Sequence, residues 1–259
     1  MPVRPELAPF VSSIGYYESD LPAGRERTVP TGHAQLVVNL SSDELSWYAG
    51  GRRHVRGGVG FCPPQAGPLE ISTAEQRRCV CVVFRPGGAY PFVGPVDALD
   101  EPVVDLGWSG LRDRLCEASP QAALGLLQSE LVRRAELSSV DRRVAAAAVG
   151  LGRGLDVGAV SDRLGVTTGS LRRRFLARVG LTPKRYAGVA RLQRLLGAVG
   201  GPDRDWARAA HEVGYFDQAH MVNDFRALTG LTPTAYSPLA RERNHVSLPG
   251  PPAPRSGPR

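Results

Sequence analysis

Apolar and polar positions alternate along this chain in two different rhythms. From about residue 18 to 85 the apolar residues come in short runs, at 35–40, 45–48, 54–56 and 79–84, with Ser41-Ser42, Gly57-Gly58 and Arg85-Pro86-Gly87 between them. Short runs broken by turn residues predict the strands of a small barrel or sandwich. After Trp108 the spacing becomes helical, with Leu111, Leu115 and Cys116, then Leu124, Leu127, Leu131 and Val132. Two amphipathic helices closing the N-terminal domain are expected there. Beyond residue 138 every periodic stretch is helical. Ser139 caps a helix over 141–149, and Asp156 or Val157 starts one that runs through Leu164. Thr167 caps another that runs through Val179.

Pro183 then opens a long helix with Tyr186, Val189, Leu192, Leu195 and Leu196 on one face, ending at Gly197. Asp203 caps a helix carrying Trp206, Ala207, Ala210 and Val213, and the last helix shows Met221, Phe225 and Leu228 on one side. The stretch 247–259 is rich in Pro and Gly and reads as a disordered tail. The expected fold class is therefore α+β. A small N-terminal β-barrel or sandwich with flanking helices (1–137) precedes an all-helical domain (138–240) and a tail (241–259).

The helical domain contains a repeat. GLTPKRY at 180–186 returns as GLTPTAY at 230–236, and at the same offset of fifty Phe175 answers Phe225 and Leu171 answers Met221. Gly165 and Gly214 each stand between two helices, one residue out of step, as a difference in turn length would produce. A small residue, Ser161 or Ala210, lies four positions before each glycine, where the helices must cross. Helix, glycine turn and helix, twice, is the pattern of two helix-turn-helix units joined by a linker helix. With its A-x3-GYFDQAHMVNDFRALTGLTP motif, the stretch from about 150 to 237 resembles the AraC/XylS family of bacterial transcription regulators. The span 21–94 also looks like one of that family's less characterised N-terminal sensing and dimerisation domains. The resemblance implies promoter DNA, a small-molecule effector, RNA polymerase and a second copy of the chain as partners. It implies no cofactor and no metal.

Charge agrees with that reading. Residues 1–150 hold 15 Arg against 17 Asp and Glu, a balance of −2, whereas 151–259 hold 17 Lys and Arg against 8 acids, a balance of +9. The cationic surplus lies on the helix-turn-helix half, where phosphate binding requires it. Only Lys184 is a lysine. Without an apolar run of about 18 residues or a signal-like N-terminus, a cytoplasmic location is expected.

Base reading by a major-groove helix needs polar side chains near its N-terminus. In the first unit these are Thr168, Ser170, Arg172 and Arg173, with Arg173 on the L-x-R-x-F pattern of the resembling family. Three successive arginines span about 300° of helix, so Arg174 is assigned a structural or solvent-facing role. In the second unit the candidates are Gln218, His220, Asn223 and Arg226, with Asp217 as the cap. The family commonly has Arg where Asn223 stands. Thr182 and Thr232, each before Pro, read as caps of following helices whose amides can hold a phosphate.

The N-terminal half shows no Ser/His/Asp set, phosphate loop or paired carboxylates, so no enzyme is expected. Cys62, Cys79, Cys81 and Cys116 fit core thiols, or a sensor or reactive cysteine with a lowered pKa. Trp47, Tyr48, Phe61, Phe84, Tyr90 and Phe92 fit a core or an effector pocket. An effector-free interaction protein would have a filled N-terminal domain; an effector-controlled one needs a polar-rimmed cavity.

Overall fold

The computed structural model describes residues 2–18, 24–73, 77–135, 140–199, 205–238 and 245–248. Its N-terminal half builds two five-stranded antiparallel sheets. One takes strands β1 (Val11–Glu18), β8 (Arg78–Phe84), β3 (Gln35–Asn39), β6 (Val59–Cys62) and β9 (Val104–Asp105) in that order. The other takes β10 (His245–Ser247), β2 (Arg25–Thr28), β7 (Leu69–Ser72), β4 (Glu44–Ala49) and β5 (Arg52–Gly57). Each sheet keeps two edge strands, so of the two architectures expected the open sandwich is realised and the closed barrel is not. The four expected strands are present; β1, β2, β6, β7, β9 and β10 were not anticipated. Strand β10 overturns part of the expected tail, because the chain returns after the helical domain to pair His245–Ser247 with β2. The expected disorder of 249–259 lies outside the described residues.

The strand period of two sorts the first sheet into two faces. Leu36, Val38, Val59, Phe61, Val80, Val82 and Phe84 are buried on one face. They pack against Leu111 and Leu115 of α2 (Ser109–Cys116) and Leu124, Leu127 and Leu131 of α3 (Pro120–Arg134). The apolar stripes of both helices are thus spent on the sheet. Each fully buried leucine among them contributes about 1.5–3 kcal/mol of transfer free energy. The opposite face meets the second sheet around Leu45, Trp47, Ile71 and Val103. The candidate pocket aromatics are core or clamps instead. Trp47, Phe61 and Phe84 are buried, Phe92 packs on Phe84, and Arg25 and Arg178 cover the rings of Tyr48 and Tyr90.

The helical domain opens with α4 (Arg142–Gly152), capped by Asp141, whose carboxylate accepts from the Arg143 and Val144 amides. The expected cap, Ser139, lies outside the described residues. Helices α5 (Val157–Leu164) and α6 (Thr168–Val179) form the first unit, α7 (Pro183–Ala198) is the linker, and α8 (Trp206–Glu212) and α9 (Gln218–Thr229) form the second. Asp205 caps α8; the expected cap Asp203 also lies outside the described residues. After Thr232 only a three-residue 3-10 turn, Pro233–Ala235, follows in place of the expected helix.

Candidate nucleic-acid interface

The two units owe their shape to caps and turns, all legible in the sequence except the α8 cap, Asp205. Asp156 accepts from the Ala159 amide at 2.8 Å to start α5, and Thr167 accepts from Ser170 at 3.1 Å to start α6. In the second unit Asp205 accepts from Arg208 at 2.9 Å and Asp217 from His220 at 2.7 Å. Gly165 at φ 62° and Gly214 at φ 86° take the left-handed conformation that reverses the chain between helices. Ser161 and Ala210 are buried at the crossings. The Ser161 hydroxyl has no hydrogen-bond partner among the described residues.

Each second helix buries one face and shows another. Leu171 and Phe175 of α6, and Met221 and Phe225 of α9, point into their own hydrophobic clusters. On the outward face Thr168, Arg172 and Arg173 are exposed and Ser170 is half-buried. Neither Arg172 nor Arg173 makes an ion pair or side-chain hydrogen bond among the described residues. Arg174 turns inward and pairs with Asp141, which Arg178 also reaches at 3.2 Å. On α9, Gln218, Asn223 and Arg226 are exposed. His220 is drawn into a network, with Nε2 3.4 Å from an Arg191 nitrogen and 3.5 Å from Asp224, and its ring edge-on to Tyr215. It is the least available of the eight candidates.

Residues not singled out from the sequence set the relation of the two units. Arg194, on the linker helix, donates to the Gly152 carbonyl at 3.0 Å and to the Val213 carbonyl at 3.3 Å. These carbonyls belong to the ends of α4 and α8, where unpaired C=O groups favour a cation. One guanidinium therefore ties α4, which packs on the first unit, and the end of α8 in the second unit to the linker helix. Arg191, one turn earlier, lies 5.1 Å over Tyr215 and 3.8 Å from Asp224. The only sequence signal was Arg191 and Arg194 in the otherwise apolar second half of that helix, with Gln193 between them.

The sandwich adds a second concavity. A cavity of about 270 Å³ lies between the sheets. Thr31, His33, Gln35, Ser46, Gln65 and His245 supply its polar groups, and Val37, Leu45 and Ile71 its apolar wall. Among the described residues no Arg, Lys, Asp or Glu lines it. Its wall at 28–33 also touches the helical domain. Val29 is buried with Leu192, Leu195 and Phe225, and the Gln193 amide donates to the Pro30 carbonyl at 2.7 Å. His245, brought back by β10, meets the buried Glu26 carboxylate at 2.8 Å. The thiols nearby are not activated. Burial pushes Cys62 up to about 12 and Cys81 up to about 11, and raises Cys79 as well. A reactive-cysteine chemistry needs the opposite shift. Among the described residues no group of His, Cys, Asp and Glu could hold a metal ion, and no helix is long and apolar enough to cross a membrane.

The helical half of this geometry agrees with a family match. Residues 160–238 match the helix-turn-helix domain family, and residues 1–105 match a domain of unknown function, DUF6597. No curated protein matches the chain. Among solved structures it is similar to ToxT from Vibrio cholerae O395, with 9% identity and TM-score 0.46 over 88% of this chain and 97% of that one. Unsaturated fatty acid bound wild-type ToxT from Vibrio cholerae strain SCE256 shows 9% identity and TM-score 0.45, covering 86% and 94%. The AraC-like transcriptional activator CuxR shows 15% identity and TM-score 0.27, covering 68% and 73%.

Proposed function

We propose that this chain, a transcription regulator joining an AraC-type helix-turn-helix domain to a DUF6597 domain, reads promoter DNA sequence-specifically through both units. The observation that carries the reading is the outward face of α6 and α9, where Thr168, Arg172, Arg173, Gln218, Asn223 and Arg226 stand exposed along capped helices. A rigid linker held by Arg194 suits two successive major-groove contacts about 34 Å apart on one side of the duplex. Ser170 and His220, each half-exposed, complete the proposed contact set.

The cavity between the sheets supports control by a small, uncharged, hydrogen-bonding effector. An effector changes DNA binding only if it binds one arrangement of the protein better than another. The 28–33 segment offers that link, since its inner side lines the cavity and its outer side docks on α7. The effector-free reading called for a filled domain, and the polar-lined cavity speaks against it.

The test is genome-wide binding of the purified full chain to fragmented DNA from its own source, repeated with Arg173→Ala and Gln218→Ala. A short set of sites with two blocks about one helical turn apart, weakened by either change, supports the reading. Arg173→Ala should also lower the slope of log affinity against log salt by about 1 if it meets a phosphate. Sequence-blind, steeply salt-dependent binding indifferent to both changes overturns it.

A further inference from the structure

The two recognition helices present opposite chemistries at equivalent positions. Their caps, Thr167 and Asp217, are fifty residues apart, so Arg172, Arg173 and Arg174 correspond to Val222, Asn223 and Asp224. The turn before the cap is one residue longer in the second unit. Val166 and Tyr215 take the same place, each donating its amide to the carbonyl of the small crossing residue, Ser161 at 3.1 Å and Ala210 at 3.0 Å. Thr167 follows Val166 directly, whereas Phe216 stands between Tyr215 and Asp217. Phe216 is therefore the inserted residue, and it is 92% exposed. A hydrophobic residue at this position often staples back onto the first turn of its helix. Phe216 does not; its ring faces solvent.

Further apolar surface follows Phe216 in the sequence. Ala219 is exposed, Val222 is half-buried, and together with Asp217, Gln218 and Asn223 they line a shallow open depression. Ala219, Val222, Asn223 and Arg226 follow the helical i, i+3, i+4 spacing, opposite the buried Met221 and Phe225. The start of α9 thus shows an apolar strip flanked by two carboxamides. It carries one acidic cap and no cation before Arg226. A phosphate meets only neutral donors there, with no guanidinium to pair with. In the major groove thymine alone offers a methyl group, which apolar side chains contact, and Asn or Gln pairs bidentately with adenine. Arg pairs with guanine.

We propose that the two units read different base pairs: the first takes G·C pairs and phosphates through Arg172 and Arg173, and the second takes A·T pairs. Thymine methyls pack on Phe216, Ala219 and Val222, and adenine edges meet Gln218 and Asn223. The inference rests on the proposed role as a sequence-specific DNA reader.

The test selects binding sequences for the full chain from random duplex DNA, then replaces thymine by deoxyuridine in one selected block at a time. The expected site has a G·C-rich block and an A·T-rich block. Deoxyuridine in the A·T-rich block should weaken the wild type about tenfold and Phe216→Ala much less, since the methyl's partner is gone. Val222→Ala should show a smaller version of the same effect. Phe216→Ala should leave the salt slope unchanged, whereas Arg172→Ala should lower it by about 1 if its guanidinium also meets a phosphate. If deoxyuridine is neutral in both blocks, or costs wild type and Phe216→Ala equally, the apolar-strip assignment is wrong while Arg173→Ala still abolishes selection. If no sequence is selected at all, the reader itself is refuted and this inference with it.

Discussion

Phe175 and Phe225 occupy the same place in the two helix-turn-helix units. Each is fully buried, and each meets edge-on the tyrosine eleven residues later, Tyr186 at 5.3 Å and Tyr236 at 5.7 Å between ring centres. Around these matched cores the units differ in polarity. In the first, Arg174 turns inward to Asp141 at the start of α4; in the second, the equivalent Asp224 turns inward to Arg191 of the linker. One position anchors the recognition helix in both, with the charges exchanged. Duplicating a helix-turn-helix preserves what packing demands, the buried face, the turn glycine and the cap. Pairings and outward residues are free to diverge, because a surface ion pair needs only complementarity.

The equivalence of the two cores is open to the largest test. Phe175→Ala and Phe225→Ala should each cost about 3–5 kcal/mol in denaturant unfolding, the expected loss for a buried aromatic. A cost near zero for either would show that its unit is not held by a matched core. Next in size, Asp141→Asn should cost roughly 1–3 kcal/mol, since it removes the charge that Arg174 and Arg178 pair with while keeping a cap-competent side chain. Burial by itself would raise the Asp141 carboxyl, but the Arg174 hydrogen bond and the Val144 and Arg143 amides outweigh it and hold it below the ordinary value. Its stabilising contribution is therefore present above the ordinary carboxylate pKa and lost as pH falls through the depressed one. Acid titration of unfolding should show this dependence in the wild type and less of it in Asp141→Asn.

A smaller effect separates the units from their connection. Arg194→Met should cost about 1–2 kcal/mol by stranding the Gly152 and Val213 carbonyls. It should weaken binding to two-block DNA more than to either block alone. Equal weakening on all three would mean that Arg194 supports only the fold. The smallest prediction is a reciprocal exchange at the helix crossings. Ser161→Ala should stabilise by about 1 kcal/mol by removing a buried, unpartnered hydroxyl. Ala210→Ser should cost a similar amount by creating one. If both changes destabilise, the Ser161 hydroxyl is bonded, and the two crossings are not alike.

The helical domain was legible because its signals are local. A cap speaks to an amide two or three residues on, a turn glycine to its own φ, and an apolar stripe to a period of 3.6, so Asp156, Gly165, Thr167, Thr182, Gly214 and Asp217 could be read in place. The sandwich was less legible. Strand β2, with the sequence Arg25–Thr28, and strand β10, with His245–Ser247, carry no alternation strong enough to mark a strand. They are strands because each has a neighbour to pair with. The cavity was not legible at all. Its wall combines residues near 30, 45, 62, 70, 103 and 245, and none of the aromatics that fitted either a pocket or a core lines it.

By itself, then, the amino-acid sequence determined the two helix-turn-helix units, the caps Asp156, Thr167 and Asp217, and most of the side chains they turn outward. Each of these is settled within a few turns of one helix. Only the tertiary structure decided which strands pair, where the cavity opens, how Arg194 and Arg191 tie the units to the linker, and that the chain returns through β10 to the first domain. Those features depend on contacts between residues far apart in the chain, and no local periodicity encodes them.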